Sequence, residues 1–222
     1  ASDSSRARCA RDRGTPRKYA AAPNVPQQPP PRLTYPAKAR TIAAMEVVLA
    51  KEEDLERLEA LYAQARAFMR EHGNGGQWGE SYPPRALLLE DIEKARMHLI
   101  KDGDELLGAF VFFVGEEPSY RAIDGTWLTD SAQYGVIHRV ASAGKGGFVR
   151  RVVEFCTAQA DDLRIDTHRD NAPMRGALEK LGFVPCGTVT VDDGTERIAY
   201  KKSSRISFAP QNKCREERTD DI

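Results

Sequence analysis

The stretch from Tyr134 to Phe183 constrains the fold more than any other part of the chain. It reads as strand, glycine loop, helix, strand, helix. Tyr134-Gly-Val-Ile-His-Arg-Val-Ala141 is an apolar strand and Ser142-Ala-Gly-Lys-Gly-Gly147 a loop. Phe148 to Ala160 carries helical periodicity, Leu163-Arg-Ile-Asp-Thr167 is a second strand, and a second helix opens near Asn171-Ala-Pro173. Two strands joined through a helix must run parallel, because the chain has to cross back before it re-enters the sheet. The loop leaves successive backbone N–H groups beside the positive end of a helix dipole, a setting that suits a phosphate or pyrophosphate. Gly144, Gly146 and Gly147 allow such a ligand to approach the backbone without a Cβ in its way. An ordinary strand-to-helix turn would show some of the same residues.

Composition bounds the remainder. A chain of 222 residues with 41% hydrophobic content builds one folded domain of ordinary size with tails. No apolar run reaches the roughly 20 residues of a membrane span, so no membrane partner is expected. Charge is uneven: residues 1–44 hold nine Lys/Arg against Asp3 and Asp12, whereas 45–201 hold 19 basic and 27 acidic side chains. An acidic folded part makes nucleic acid an unexpected partner. Cys9, Cys156, Cys186 and Cys214 are far apart, without C-x-x-C pairs or nearby His, which implies reduced thiols, no metal site and a cytoplasmic location.

Residues 1–44 are Arg-, Ala- and Pro-rich, with Gln27-Gln-Pro-Pro-Pro-Arg32 favouring extended chain, and are expected to be a disordered basic arm. A transit segment, a nucleic-acid arm and a ligand for a proline-binding module are the functional alternatives. The folded domain is expected over 45–201, followed by a disordered tail over 202–222. Within it, Met45-Glu-Val-Val-Leu49 is a strand. Glu52 to His72 is a helix with Leu55, Leu58, Leu61, Tyr62, Ala65 and Phe68 or Met69 on one face. A loop carrying Trp78 and Tyr82 leads to a helix from Pro84 to about Ala95. Met97–Ile100 and Leu106–Val114 form a hairpin, the second strand apolar throughout and so covered on both faces. Ile123 to Leu128 is an irregular edge or connector. Phe183–Val191 and Glu196–Lys201 pair around Asp192-Asp193-Gly194-Thr195. The fold class is a mixed α/β (α+β) domain, a twisted, largely antiparallel sheet flanked by helices.

That element order, with a glycine loop after the fourth main strand, resembles the GNAT superfamily of acyl-CoA-dependent N-acetyltransferases, of a bacterial type. Asn171-Ala-Pro-Met-Arg-Gly-Ala-Leu-Glu-Lys-Leu-Gly-Phe183 is similar to the family's second helix signature, which opens on Asn and closes on Lys-x-Gly-Phe. The family's loop, Arg/Gln-x-x-Gly-x-Gly/Ala, is matched at Gly147 but departs at Gly144 and Val149. The resemblance implies acetyl-CoA as cosubstrate and no metal. Val140, Ala141 and Ser142 would offer strand-edge bonds to the pantetheine arm. Gly144, Lys145, Gly146, Gly147, Phe148 and Val149 would form the pyrophosphate cradle, and Asn171 would contact the cofactor from the next helix. Many members carry a Tyr seven residues after that Asn to protonate the thiolate; here the position is Leu178.

Histidine has the pKa to take a proton from an ammonium substrate near neutrality. His138 and His168, with Tyr134 as a weaker candidate, are therefore the catalytic candidates near the strand ends, alongside Asp166. Each histidine alone is more simply a structural side chain. Trp78, Tyr82, Trp127 and Arg139 are candidates for a substrate pocket, with packing and surface roles as the plainer alternatives. The expected reaction is direct transfer of an acetyl group to a small-molecule amine or amino-acid-like acceptor, a protein N-terminus being a further option. A homodimer is an open alternative for assembly. The rival functional class is an acyl-CoA-binding sensor or scaffold without turnover. Less favoured is a Rossmann-type dinucleotide site, suggested by the interval from Gly146 to Asp166.

Overall fold

The structure, a computed structural model, describes residues 45–129 and 133–203. The basic arm over 1–44 and the tail beyond 203 lie outside the described residues. Among the described residues, eight strands form a single sheet: β1 Met45–Leu49, β2 Met97–Asp102, β3 Glu105–Gly115, β4 Ile123–Gly125, β5 Tyr134–Ser142, β6 Asp162–Thr167, β7 Val184–Thr190 and β8 Glu196–Ser203. The last strand thus runs two residues past the expected boundary at 201, and Ser203 pairs with Asp162. The helices are α1 Leu55–Glu71, α2 Arg85–Glu93, α3 Phe148–Thr157 and α4 Ala172–Lys180.

The strand order is β1-β2-β3-β5-β6-β8-β7-β4. Every neighbouring pair is antiparallel except β5 and β6, which run parallel at the centre with α3 crossing between them. This excludes the doubly wound sheet that a Rossmann site would need. Only three residue pairs join β5 to β6, from Gly135↔Leu163 to Ile137↔Ile165; beyond them the strands part. Ile123–Gly125 pairs with β7 at the far edge of the sheet, so of the two expectations, edge or connector, this run is the edge strand of the second half.

Each face of the sheet carries its own core, because the central strands alternate apolar residues on both sides. Phe110, Phe112, Ile137, Leu163 and Ile165 pack with Phe148, Val152, Val153 and Cys156 of α3 and with Leu178 of α4. Met97, Leu99, Ala109 and Val111 pack with Leu55, Leu58, Leu61 and Tyr62 of α1, Leu88 of α2 and Trp78 of the intervening loop. The three- and four-residue spacing in α1 and α3 is what places these side chains on single buried stripes. Gly108 and Gly135 permit close approach at the centre of the sheet. A Cβ on Gly108 would stand 2.4 Å from the Ala141 carbonyl oxygen and 2.4 Å from the Phe148 ring; one on Gly135 would meet Leu163 at 2.7 Å.

Candidate active site

Where β5 and β6 part, a cleft of about 320 Å³ opens at the centre of the sheet. Its walls come from several elements. Ile137, His138, Arg139 and Val140 belong to β5; Ile165, Asp166 and Thr167 to β6; Gln77, Trp78 and Tyr82 to the loop between α1 and α2; Glu117 and Ser119 to the loop after β3. Asn171 at the start of α4 and Asp192, Asp193 and Arg197 of the last hairpin complete it.

His138 sits between two carboxylates. Its Nε2 lies 3.2 Å from Glu117 Oε2 and its Nδ1 3.4 Å from Asp166 Oδ1. Tyr120, buried, donates its hydroxyl to the same Asp166 oxygen at 2.8 Å. Burial, followed by the Asp166 charge, keeps that phenol protonated and hence a donor. Burial pushes the Glu117 carboxyl upward, but the His138 hydrogen bond and charge and two bonds from Ser119 outweigh it and hold the group at about 2. Glu117 is presented by the turn after β3, where its own N–H donates to the Tyr134 hydroxyl at 3.0 Å. A carboxylate fixed as an acceptor, an imidazole and a second carboxylate thus share one wall, an arrangement able to receive and relay a proton.

The opposite wall is set by Arg139. Two β5 residues, Arg139 and Val140, stand opposite Phe110 alone, a bulge in the β3–β5 ladder. Arg139 adopts φ +52°, a left-handed conformation that costs a non-glycine residue about 1–2 kcal/mol. It is held there by a bidentate pair with buried Asp91 of α2 (2.8 and 2.9 Å), by a bond donated to the Tyr82 hydroxyl (3.0 Å), and by the Tyr62 hydroxyl, which donates to its carbonyl at 2.7 Å. Burial opposes the guanidinium charge, and the Asp91 and Tyr82 bonds more than restore it.

Gln77 ties the α1–α2 loop across the cleft. Its side-chain oxygen accepts from Asn171 Nδ2 at 2.9 Å and lies within 3.3–3.4 Å of the Thr167 hydroxyl and the His168 N–H. Its carbonyl accepts from Arg197 at 3.0 Å. Asn171 caps α4 at the same time, accepting from the Met174 N–H at 3.2 Å.

The glycine loop stands outside this cleft, exposed from Gly144 to Gly147. Gly144 and Gly147 take φ +91° and +80°, and Gly147 is the N-cap of α3. A Cβ on Gly144, Gly146 or Gly147 would meet nothing within 4 Å, so the space above the loop is open to a ligand. The first-turn N–H groups of α3 have no partner within the helix. Those donors and that open space fit a pyrophosphate. Lys145 reaches Glu105 at 2.8 Å, so part of its charge is spent inside the chain. Phe148 is buried under Gly108 and Val149 packs on the core, so their side chains serve the fold.

Of the expected residues, His138, Arg139, Val140, Asn171, Trp78 and Tyr82 converge on the cleft. Ala141 is buried in the core beneath α1 and α2, and Ser142 holds the Gly144 N–H at 3.2 Å. His168 lies beyond the cleft lining, its Nδ1 accepting from the Asp170 N–H. Tyr134 and Trp127 stand away from it, each stacked against the Arg164 guanidinium. Glu117, Gln77, Asp91 and Arg197 were not anticipated. For Glu117 a signal existed: Glu116-Glu117-Pro118 comes directly after an apolar strand. Gln77, Asp91 and Arg197 act across long sequence separations that no local pattern reports.

No protein-family model matches the sequence, and no curated protein matches it significantly. Solved structures do. A GNAT-family acetyltransferase from Streptococcus agalactiae superposes with a TM-score of 0.64 at 29% identity, over 72% of this chain and 95% of that one. A putative acetyltransferase from Staphylococcus aureus (TM-score 0.53, 24% identity) and a GNAT-family acetyltransferase from Listeria monocytogenes (0.55, 16%) share the fold, each over 72% of this chain and 99% and 94% of theirs.

Proposed function

We propose that this chain, whose fold is shared with a GNAT-family acetyltransferase, is an acetyltransferase of that superfamily and moves an acetyl group from acetyl-CoA directly to the nitrogen of a small amine. The observation that carries this reading is the parted β5–β6 seam, whose cleft is walled by Glu117, His138 and Asp166, with a glycine-capped helix start directly after β5. Acetyl-CoA would supply the thioester carbonyl that the amine attacks; the C–S bond then breaks and CoA leaves as its thiolate, with no proton from the Leu178 position. Gly144, Gly146, Gly147 and the first turn of α3 would hold its pyrophosphate, and β5 from Val140 to Ser142 its pantetheine arm.

The acceptor enters the cleft between the Trp78 and Tyr82 rings and the carboxylate wall. It must lose a proton before its lone pair can attack; His138 takes that proton, with Glu117 and Asp166 fixing the ring. Holding both reactants in one cleft supplies most of the acceleration. Burial pushes the Cys156 and Cys186 thiols up, which argues against a thiolate carrying the acetyl group in transit. Both arginines of the cleft are engaged, Arg139 by Asp91 and Arg197 by Asp193 and Gln77. An acceptor carboxylate therefore meets no uncommitted guanidinium there, which favours a plain amine over an amino acid.

Calorimetry with acetyl-CoA on wild type and Gly146→Glu tests the cofactor site. Gly146 lacks the positive φ of its neighbours and has open space above it, so glutamate adds a charge without backbone strain. We expect at least tenfold weaker binding with an unchanged melting temperature. Equal binding by the two proteins would move the site elsewhere.

A further inference from the structure

We propose that Arg139 is a positioning residue, clamped by Asp91 and Tyr62 so that it imposes the β5 bulge on which the thioester-binding edge depends. This deepens the acetyltransferase reading and rests on it for its kinetic consequence.

A regular strand sends alternate residues to opposite faces. Yet four consecutive residues, Ile137 to Val140, line one cavity. The bulge at Arg139–Val140 accounts for that: an inserted residue turns the strand and re-aims the side chains beyond it. It also begins two residues after Ile137, the last β5 residue paired with β6. The left-handed φ at Arg139 belongs to glycine by preference, so something outside the strand must hold it.

The holding groups come from the two helices over that face. Asp91 of α2, only 2% exposed, grips the guanidinium at both oxygens. Tyr62 of α1, fully buried, grips the carbonyl of the same residue. Side chain and backbone of one residue are thus pinned separately, which fixes its backbone orientation as well as its position. Through Tyr82, whose hydroxyl accepts from Arg139, the aromatic wall of the cleft is fastened to the same point. The acceptor wall and the bulged edge therefore move as one unit. A guanidinium engaged on three nitrogens is a structural tie, so Arg139 is assigned no contact with the acceptor.

Three measurements decide this. Arg139→Gly and Arg139→Ala both remove the clamp, but glycine keeps the left-handed backbone without strain. The glycine variant should melt about 2–4 °C above the alanine one, the shift that roughly one unit of backbone strain produces in a domain of this size. Alanine melting at or above glycine would overturn the claim that strain is held there. Tyr62→Phe removes one hydroxyl and leaves Asp91 and Arg139 paired, so the fold should survive. Its amide resonances should shift at Arg139, Val140 and Ala141 and stay in place in β7 and β8; unmoved resonances at 139–141 would overturn the clamp. For the same variant, kcat should fall about tenfold with acceptor KM within twofold of wild type. A rise in acceptor KM at unchanged kcat would instead make this wall a substrate-binding surface and overturn the proposal. Should no amine support transfer, the melting and resonance results still decide the clamp by themselves, while the acetyltransferase reading falls separately.

Discussion

Leu178 occupies the helix position where many members of the GNAT superfamily, which this chain resembles, carry a proton-donating tyrosine. Here the side chain is fully buried in the core with Val152, Val153, Phe183 and Tyr200. Leu178→Tyr would force a ring and a hydroxyl into a packed interior, so it should cost about 1–3 kcal/mol and bring no gain in turnover; thermal melting with a parallel rate assay checks both. Glu117 sets the acid limit of the same wall. Its folded pKa, about 2, lies below the roughly 4.3 of an unfolded glutamate. The stability it contributes is therefore complete above about pH 4.3 and is lost as pH falls from there towards 2. Glu117→Gln should melt lower than wild type near neutrality, and the difference should shrink through that window. A gap that stays constant from pH 6 to pH 2.5 would deny the depressed pKa.

At the level of elements, β3, β5 and α3 meet at Gly108. A methyl group there would collide with the Ala141 carbonyl oxygen and the Phe148 ring, both too firmly placed to retreat. Gly108→Ala should destabilise the domain by about 1–3 kcal/mol and weaken acetyl-CoA binding, because Phe148 opens the helix whose first turn faces the cradle. Denaturant unfolding and calorimetry together would show it. Local pattern made much of this scaffold legible. The stripe of Val149, Val152, Val153 and Cys156 identified α3 and its inner face, and the helix between two apolar strands required β5 and β6 to be parallel. Turn residues Asp192 to Thr195 marked the closing hairpin. The features that stayed hidden depend on contacts between distant segments. The short run Ile123–Gly125 has too little pattern to reveal that it pairs with β7. The bulge at Arg139 arises from Asp91 and Tyr62, 48 and 77 residues away. Gln77 closes the cleft by reaching Asn171, 94 residues further on.

The molecule as a whole is two antiparallel half-sheets joined along one short parallel seam. β1, β2, β3 and β5 carry α1 and α2 on one face, while β6, β8, β7 and β4 bring in the last hairpin. Three residue pairs join the halves before the strands part, so the sheet is continuous enough to be rigid and open enough to admit ligands from both sides. The glycine-capped start of α3 follows β5 directly, and His138 lies one residue past the last β5–β6 pair. In the proposed reaction, acetyl group and amine would meet at that opening, with His138 as the proton acceptor. The decisive experiment runs wild type and His138→Gln side by side, following thiol release from acetyl-CoA across a panel of small amines with mass detection of the acetylated product. We expect amine-dependent thiol release by wild type, a loss of about 10²–10⁴-fold in the variant, and equal acetyl-CoA affinity for the two. A wild-type protein that binds acetyl-CoA yet releases no thiol with any amine, or a variant that turns over as fast as wild type, would contradict that assignment.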